Sequence, residues 1–186
     1  TGRALWTFEY RLSNRVYICC GEVHRGLAIL GTTLFITTLD AKLIAIDARS
    51  GRMLWKRDLA DPTLNYTATG APLAVKDKVI AGIAGAEGGI RGFLDAYDAK
   101  TGERAWRFWT IPAPGEPGSE TWGGDSWRYG GASTWITGSY DPALNLVYWG
   151  TGNPGPDLYG KDREGDNLYT DSVVALDPET GTLKWY

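Results

Sequence analysis

Histidine, cysteine and methionine are scarce in this sequence. Its 186 residues include one histidine, two cysteines and one methionine. A single histidine excludes a histidine-rich zinc site and a metalloprotease motif within the chain, because both require more than one. A Ser-His-Asp triad would have to use His24, yet no G-x-S-x-G motif is present. We therefore interpret His24 as a structural residue.

Long hydrophobic runs and clusters of positive charge are also absent. The longest apolar stretch, 27–39, is interrupted by Gly31, Thr32 and Thr33, so it is too short and too polar to span a bilayer. Lysine and arginine number 19 against 22 aspartates and glutamates, and no dense basic run is present. Hydrophobic residues at 43% and charged residues at 22% are typical of a folded globular protein. We expect no nucleic-acid partner and no membrane span.

Tryptophan and glycine are abundant, and both recur in a repeated segment. The chain has 9 tryptophans and 25 glycines, which together favour short strands joined by tight turns. The segment 45–55 (AIDARSGRMLW) recurs at 96–106 (AYDAKTGERAW) and at 175–185 (ALDPETGTLKW), and 1–6 matches the end of a fourth copy. The repeat tryptophans are about 50 residues apart in the first two intervals. The third interval is about thirty residues longer, which indicates an insertion.

The repeat has a direct structural interpretation. Its Asp, Ser or Thr and Gly predict a hairpin turn in which the carboxylate accepts backbone N–H groups and the glycine takes a positive φ. Apolar residues on either side predict two antiparallel strands, with further strand-like sequence upstream at 34–39 and 42–46. Units of about 50 residues with about four strands each are typical of a β-propeller. We therefore predict an all-β chain of about three blades, with one tryptophan per unit wedged between neighbouring blades.

Three blades are too few to close a ring, so the repeat indicates a sector of a larger propeller. No initiator methionine or signal peptide precedes residue 1, and the apolar run 184–186 ends without a turn signal. We expect residues 1–186 to form one partial β-propeller domain that is truncated at both ends.

Two adjacent cysteines interrupt the repeat. Cys19 and Cys20 are the only cysteines of the chain. A disulfide between neighbours must distort the peptide that joins them, because their Cα atoms are closer than in ordinary disulfides. Such strain persists where a site holds it in place. Two reduced thiols that behave as small apolar residues are the alternative, and the spacing of the cysteines leaves both interpretations open.

Two glycine-rich segments also depart from the repeat. Residues 83–92 (IAGAEGGIRG) combine small side chains, which would let a flat ligand approach the backbone, with the carboxylate of Glu87. A glycine-rich loop with a solvated glutamate is the alternative. Residues 149–156 (WGTGNPGP) hold the amide of Asn153 rigidly, and an amide oxygen suits a hard cation. The G-x-G-x-x-G match in that segment does not indicate a dinucleotide site, because Pro154 and Pro156 prevent the helix that such a site needs.

Taken together, these features resemble the quinoprotein alcohol dehydrogenases, the methanol and ethanol dehydrogenases that use pyrroloquinoline quinone (PQQ). The resemblance covers essentially the whole chain. It rests on the tryptophan repeats, on Cys19-Cys20 followed by Arg25-Gly26, and on the segments 85–87, 91–92 and 150–154 in that order. In that family an eight-bladed propeller holds PQQ on its axis, between a vicinal disulfide ring and a tryptophan indole, with a metal ion beside it. The resemblance thus implies a sector of an eight-bladed quinoprotein propeller.

The resemblance also implies roles for individual residues of this sequence. Cys19 and Cys20 would form a disulfide ring over one face of PQQ, and Trp135 would stack on the opposite face. Arg25 would reach the quinone oxygens and stabilise the charge that develops there. The remaining implied contacts are Thr69 to a PQQ carboxylate, Ala84, Gly85 and Ala86 along the cofactor edge, and Glu87 and Asn153 as ligands of Ca²⁺ or a lanthanide ion.

The activity of the family completes this hypothesis. The metal ion acts as a Lewis acid on the quinone, which accepts hydride from a small primary alcohol. The resemblance implies oxidation of methanol- or ethanol-type alcohols to aldehydes, with cytochrome c as the electron acceptor. The catalytic aspartate of the family would lie beyond Tyr186, so we expect the 186-residue chain alone to be inactive. A disulfide ring requires an oxidising compartment, which favours a periplasmic location.

A non-catalytic β-propeller, serving as a scaffold or binding module, is the alternative to an enzyme. It would use the same tryptophan-bearing blades, so it explains the repeats equally well. It does not explain why Cys19-Cys20, Glu87 and Asn153 occur together in this order. Ala84 departs from the family pattern, which often has serine there, and this departure implies one hydrogen bond fewer to PQQ.

Overall fold

The computed structural model describes residues 2–12 and 16–186, and within them the regular structure is almost entirely β. These residues form three four-stranded antiparallel sheets, which confirms the predicted all-β class and the predicted three blades. The first sheet contains β1 (Ala28–Leu30), β2 (Thr33–Thr37), β3 (Lys42–Asp47) and β4 (Met53–Asp58). The second contains β5 (Leu73–Val75), β6 (Lys78–Gly82), β7 (Phe93–Asp98) and β8 (Arg104–Trp109). The third contains β9 (Ser139–Asp141), β10 (Leu146–Gly150), β11 (Val173–Leu176) and β12 (Leu183–Trp185).

Each sheet is a four-stranded meander in which consecutive strands are neighbours. The predicted strands at 34–39 and 42–46 correspond to β2 and β3, and β2 ends at Thr37, two residues earlier than predicted. The apolar run of β3 is buried along nearly its whole length, whereas β4 is largely exposed. The third strand of a sheet therefore lies in the interior and the fourth forms its outer edge.

The Asp–Gly turn of the repeat joins the third and fourth strands of every sheet. In the first sheet, Oδ1 of Asp47 accepts the N–H groups of Arg49 at 3.1 Å and Ser50 at 2.7 Å. Gly51, at φ 73°, donates its N–H to the carbonyl oxygen of Asp47. Equivalent turns occur at Asp98–Gly102 and Asp177–Gly181. The predicted turn is thus confirmed in all three copies.

Each repeat tryptophan packs against the turn of the following repeat. The indole Nε1 atoms of Trp6, Trp55 and Trp106 donate hydrogen bonds, at 3.0, 3.2 and 2.9 Å, to the carbonyl oxygens of Ala48, Ala99 and Pro178. This contact joins the outer strand of one repeat to the hairpin of the next. It confirms the prediction that one tryptophan per unit lies between neighbouring blades.

Two apolar clusters fill the spaces between adjacent sheets. Phe35 of the first sheet packs with Phe93 of the second in one cluster. Leu94 of the second sheet packs with Trp149 and Val174 of the third in the other, and Trp149 is only 1% exposed. Removal of this apolar surface from water is the main force that holds the sheets face to face.

The predicted insertion of the third interval is divided between two connections. Residues 110–138 join β8 to β9 and contain the 3₁₀ turns Ser119–Thr121 and Ser126–Tyr129, and residues 151–172 join β10 to β11. Backbone hydrogen bonds link the two connections, from Gly123 to Glu164 and from Asn167 to Thr121. None of the helical segments in the described part of the chain has the length and apolar character that crossing a bilayer requires.

Candidate functional site

A cavity of about 180 Å³ lies where four connections meet. They are the loop before β1, the segment before β5, the turn after β6 and the segment before β9. Most of the predicted site residues line this cavity: Cys19, Cys20, Arg25, Thr69, Ala84, Gly85, Glu87 and Trp135. The fold thus brings together residues that are far apart in the sequence.

A disulfide between Cys19 and Cys20 forms one wall of the cavity. The alternative of two reduced thiols is therefore wrong for this structure. The chain reverses immediately afterwards, because Cys20 and Gly21 both have positive φ values, 59° and 97°. The N–H of Val23 donates to the carbonyl oxygen of Gly21 at 2.9 Å and closes this turn. The turn directs the following residues back towards the cavity.

Arg25 is anchored to the segment that carries Thr69. Its backbone N–H donates to the carbonyl oxygen of Thr69 at 3.0 Å, and its Nη1 atom lies 3.5 Å from the same oxygen. The guanidinium carbon is 4.8 Å from the centre of the Trp135 ring, which is a cation–π contact. The positive charge and the indole are therefore presented to the cavity together.

Trp135 is held by a buried segment that crosses the end of the second sheet. The hydroxyl of the preceding residue, Thr134, donates to the carbonyl oxygen of Phe93 at 2.7 Å and accepts the N–H of Ile83 at 2.9 Å. Thr134 is 1% exposed, whereas Trp135 is 38% exposed. The backbone is therefore fixed while the indole keeps accessible surface for a flat ligand.

Small residues form the edge of the cavity next to Glu87. Ala84 and Thr67 exchange two backbone hydrogen bonds, at 3.0 and 2.7 Å, as an isolated antiparallel bridge. Gly85 has φ 110°, and a Cβ atom at this position would collide with the carbonyl oxygen of Asn65. Glycine is therefore required there. Glu87 follows in a 3₁₀ turn, and its side chain lines the cavity.

Ala86 and Asn153 are not among the residues that line the cavity. Ala86 is 5% exposed, within the turn that carries Glu87. Asn153 is exposed, and its Nδ2 atom donates to Oδ1 of Asp157 at 2.8 Å. The amide nitrogen only donates, so Oδ1 is the atom that Asn153 can offer to a cation, and the bond to Asp157 orients the amide. Its segment adjoins the turn after β6, since a Cβ atom at Gly155 would lie 3.6 Å from the carbonyl oxygen of Ala86.

Five lining residues were not predicted from the sequence: Ile18, Gly21, Val23, Thr67 and Ser133. Thr67 and Ser133 are 2% and 5% exposed, and Thr69 is 6% exposed. No hydrogen bond between described residues engages the hydroxyls of these three side chains. Thr67 lies two positions before Thr69, and Ser133 two before Trp135, so the two-residue period of an extended segment is the signal that could have found them.

The donor set suits a planar, anionic ligand better than a metal ion held by protein alone. Arg25 supplies positive charge, and the three unengaged hydroxyls supply donors for carboxylate oxygens. No cluster of three or more histidine, cysteine, aspartate or glutamate side chains suited to a metal occurs in the described ranges. Glu87 and Asn153 are two oxygen donors, so further ligands of a Ca²⁺-like cation would come from the bound molecule or from outside this chain.

A larger depression, of about 550 Å³, lies between residues 123–126 and 161–164. It is lined by charged side chains, including Asp125, Lys161 and Glu164, and contains none of the predicted site residues. Exposed charges of both signs are ordinary on a solvated loop surface. The smaller cavity is the better candidate, because it combines a disulfide, an indole and unengaged buried hydroxyls.

Comparison with known proteins relates the chain to dehydrogenases that use PQQ. The family model of the PQQ-binding glucose/ethanol/alcohol dehydrogenase β-propeller domain matches residues 1–186. The quinohemoprotein alcohol dehydrogenase ADH IIB of Pseudomonas putida is 42% identical over 100% of this chain and 29% of its own length. The lanthanide-dependent methanol dehydrogenase of Methylacidiphilum fumariolicum (strain SolV) is 43% identical over 90% of this chain and 30% of its own length.

A solved structure of a europium-containing methanol dehydrogenase has the same fold over this region. It superposes with a TM-score of 0.82 at 43% identity, covering 88% of this chain and 31% of that one. The chain spans less than a third of the length of the relatives described here.

Proposed function

The chain belongs to the glucose/ethanol/alcohol dehydrogenase β-propeller family that binds PQQ, and we propose that its cavity is the PQQ site of a metal-dependent alcohol dehydrogenase. The complete protein would oxidise a primary alcohol of the methanol or ethanol type to the aldehyde and pass the electrons to cytochrome c. One observation carries the proposal. A disulfide, an indole and an arginine line a single cavity that has a carboxylate at its edge.

The cavity walls suit a flat aromatic molecule. The disulfide of Cys19 and Cys20 forms one wall and the indole of Trp135 another, so a planar ring system between them would contact polarisable groups. Ala84 and Gly85 leave the edge open, because neither carries a long side chain. These residues bind and orient the ring, while Ala86 supports the turn from within the fold.

Hydroxyl groups provide contacts for the carboxylates of PQQ. Thr67, Thr69 and Ser133 are nearly buried, line the cavity and have no hydrogen-bond partner among the described residues. The three hydroxyl oxygens are open to solvent within the cavity, so a bound carboxylate would take the place of water as their partner. Ala84 offers no hydroxyl on its side of the cavity, and the hydroxyl of Ser133 lines the same space.

Arg25 is the residue that would stabilise charge on the cofactor. When bound, PQQ supplies the redox chemistry by accepting a hydride from the alcohol. The guanidinium lies 3.5 Å from the Thr69 carbonyl oxygen and 4.8 Å from the centre of the Trp135 ring, so its positive charge is already at the cavity where negative charge would develop on the quinone oxygens.

Glu87 and Asn153 would hold the cation beside the cofactor. Glu87 lines the cavity, and the bond from Nδ2 of Asn153 to Asp157 orients the amide whose Oδ1 atom would bind the cation. Oxygen donors of this kind suit Ca²⁺ and lanthanide ions alike. Two relatives are named for lanthanide or europium, which supports testing both cations.

The disulfide also supports a proposed location in the periplasm. Bonds of this kind persist in oxidising compartments and are rare in the cytosol. An electron-accepting cytochrome c in the same compartment is part of this proposal.

Reconstitution of the complete polypeptide tests the proposed function. The protein is purified without metal or cofactor, and PQQ is added with either Ca²⁺ or La³⁺. Binding is followed by quenching of tryptophan fluorescence, and activity by dye reduction with methanol and ethanol. We expect dye reduction that requires both PQQ and one of the two cations. Absence of PQQ binding with either cation contradicts the proposal and supports the scaffold alternative.

Substitution of Glu87 tests its assignment as a ligand of the cation. Glu87→Gln retains the size of the side chain but removes its charge, so dye reduction should fall by about 100-fold or more. Glu103→Gln is the matched control, because Glu103 is an exposed glutamate in a hairpin outside the cavity. Wild-type activity in the Glu87→Gln variant would contradict the assignment of Glu87 as a ligand of the cation.

A further inference from the structure

His24 lies next to Arg25 in the loop that lines the cavity, and its imidazole makes two hydrogen bonds. Nδ1 accepts the backbone N–H of Gly26 at 3.2 Å. Nε2 lies 3.1 Å from the hydroxyl oxygen of Thr37, whose own proton is donated to the carbonyl oxygen of Gly70 at 2.7 Å. Because the hydroxyl proton of Thr37 already bonds to Gly70, the hydroxyl oxygen must accept a hydrogen bond from the Nε2–H group of His24. His24 is therefore neutral and carries its proton on Nε2.

These two bonds hold the backbone around Arg25. The N–H that Nδ1 accepts belongs to the residue after Arg25, while the N–H of Arg25 itself donates to the carbonyl oxygen of Thr69. The Nε2 bond reaches Gly70, the residue after Thr69, through the hydroxyl of Thr37 at the end of β2. The imidazole thus ties the cavity loop to the same segment that anchors the guanidinium.

We infer that neutral His24 is a positioning residue for Arg25, and that protonation of its Nδ1 atom releases Arg25 from its place over Trp135 and weakens binding in the cavity. The inference rests on the proposed function, because PQQ is the ligand that Arg25 would contact. A protonated Nδ1 is a donor, so it would face the N–H of Gly26 donor to donor and the bond would be lost. The imidazole is partly exposed, and protons therefore reach it from solvent.

The surroundings of His24 favour its neutral form. Burial lowers the pKa of the imidazole below its ordinary value of 6.5, and the charge of Arg25 lowers it further, whereas hydrogen bonding to the backbone of Thr37 has the opposite effect. Thr37 and Gly70 carry no charge, and the other titratable side chains of the described cavity loop besides Arg25 are the exposed Tyr17 and Glu22. The contact is therefore complete above pH 6.5 and is lost as the pH falls through the lowered pKa.

The pH profile of PQQ affinity tests this inference. PQQ binding to the complete polypeptide is measured by tryptophan fluorescence from pH 7.5 to pH 5, at a fixed Ca²⁺ concentration. We expect the wild-type dissociation constant to rise by roughly threefold to tenfold over this range. His24→Asn places an amide oxygen where Nδ1 accepts and does not titrate, so its affinity should match wild type at pH 7.5 and stay constant. His24→Ala should bind more weakly at every pH.

Two controls separate this inference from the proposed function. Glu22→Gln removes the carboxylate of the same loop and should leave the wild-type pH profile unchanged. A His24→Asn profile that follows wild type, or a flat Glu22→Gln profile, overturns the inference and leaves PQQ binding in place. Failure of the wild-type protein to bind PQQ at any pH overturns both. If His24→Ala does not fold, the asparagine and Glu22 variants still decide the outcome.

Discussion

At the scale of single residues, the glycine of each repeat turn meets two requirements at once. Gly51, Gly102 and Gly181 have φ values of 73°, 70° and 71°, which residues with a Cβ atom rarely adopt. A Cβ atom on any of them would lie 2.7, 2.8 and 2.6 Å, respectively, from an indole carbon of the preceding repeat. These positions therefore exclude a side chain both through the backbone and through the neighbouring tryptophan.

Comparing alanine substitutions at Gly102 and Gly31 separates the backbone requirement from the indole contact. The new Cβ atom would lie 2.8 Å from Cδ2 of Trp55 in a left-handed backbone, so we expect a loss of about 3 kcal/mol in the free energy of unfolding. Gly31→Ala is the matched control, because Gly31 has φ 59° with no atom within 4 Å of its Cβ position. We expect a loss of about 1 kcal/mol there. Equal losses in denaturant unfolding would show that the indole contact contributes nothing.

At the scale of elements, a partly exposed aspartate stabilises each hairpin between a third and a fourth strand. The pKa of Asp47 lies below its ordinary 3.8, chiefly because the hydroxyl of Ser50 donates to the carboxylate. The pKa values of Asp98 and Asp177 are also lowered, chiefly by the backbone N–H groups of Thr101 and Glu179. The charged form of each carboxylate is thus the form that the folded hairpin favours.

The hairpin aspartates make the stability depend on pH in the acidic range. A depressed pKa means that the stabilising effect is complete above pH 3.8 and is lost as the pH falls through the lowered value. We expect Asp98→Asn to lower the midpoint of thermal unfolding by about 1–2 °C at pH 7, with a difference from wild type that shrinks below pH 3.8. Asp166→Asn, on an exposed loop, should leave the midpoint of thermal unfolding at its wild-type value both at pH 7 and below pH 3.8. A difference that is constant with pH would contradict the role of the carboxylate charge.

At the scale of the whole molecule, a buried ion pair of the second sheet is hydrogen-bonded to the chain that leaves the first sheet. Asp95 of β7 is 0% exposed and accepts two hydrogen bonds from Arg107 of β8, both at 2.7 Å, and a third from Tyr97 at 2.9 Å. Arg107 also donates to the carbonyl oxygen of Leu59, just after the first sheet, at 3.0 Å. Its guanidinium carbon is 3.6 Å from the centre of the Phe93 ring. Arg107 therefore connects the second sheet to the chain that leaves the first.

Removing one partner of this pair should destabilise the sector more than removing both. Arg107→Met removes both of the close ion-pair hydrogen bonds of the buried Asp95 carboxylate and leaves only Nη1 of Arg104, 3.9 Å away, so we expect a loss of about 3–5 kcal/mol in the free energy of unfolding. The double variant Asp95→Leu/Arg107→Met removes the uncompensated charge and should recover part of that loss. Arg57→Met is the control, because Arg57 also bridges sheets, through the Gly102 and Thr101 carbonyl oxygens, but has no buried acid. A double variant as unstable as Arg107→Met would argue against the ion pair.

The repeat sufficed to predict the sheets and their turns, while the cavity was predicted only in part. The Asp–Gly turn and the tryptophan spacing recur, so each copy supports the interpretation of the others. The resemblance named eight residues that line the cavity, yet Thr67 and Ser133 were missed because their signal is the two-residue spacing from Thr69 and Trp135, which is informative only once those residues are known to face a site. Asn153 was named as a ligand, and the structure places it outside the cavity lining, with its amide oriented by a hydrogen bond to Asp157.

The amino-acid sequence by itself determined the all-β class, the hairpin turns, the contact of each tryptophan with the next repeat and the family. These features depend on backbone preferences and hydrogen bonds that act within a few residues, or on a pattern that repeats. Only the tertiary structure decided that the Cys19–Cys20 disulfide, Trp135 and the hydroxyls share one cavity. It also decided the tautomer of His24 and the partner of Arg107. Such contacts join segments that are remote in the sequence, and they exist only once the sheets have packed side by side.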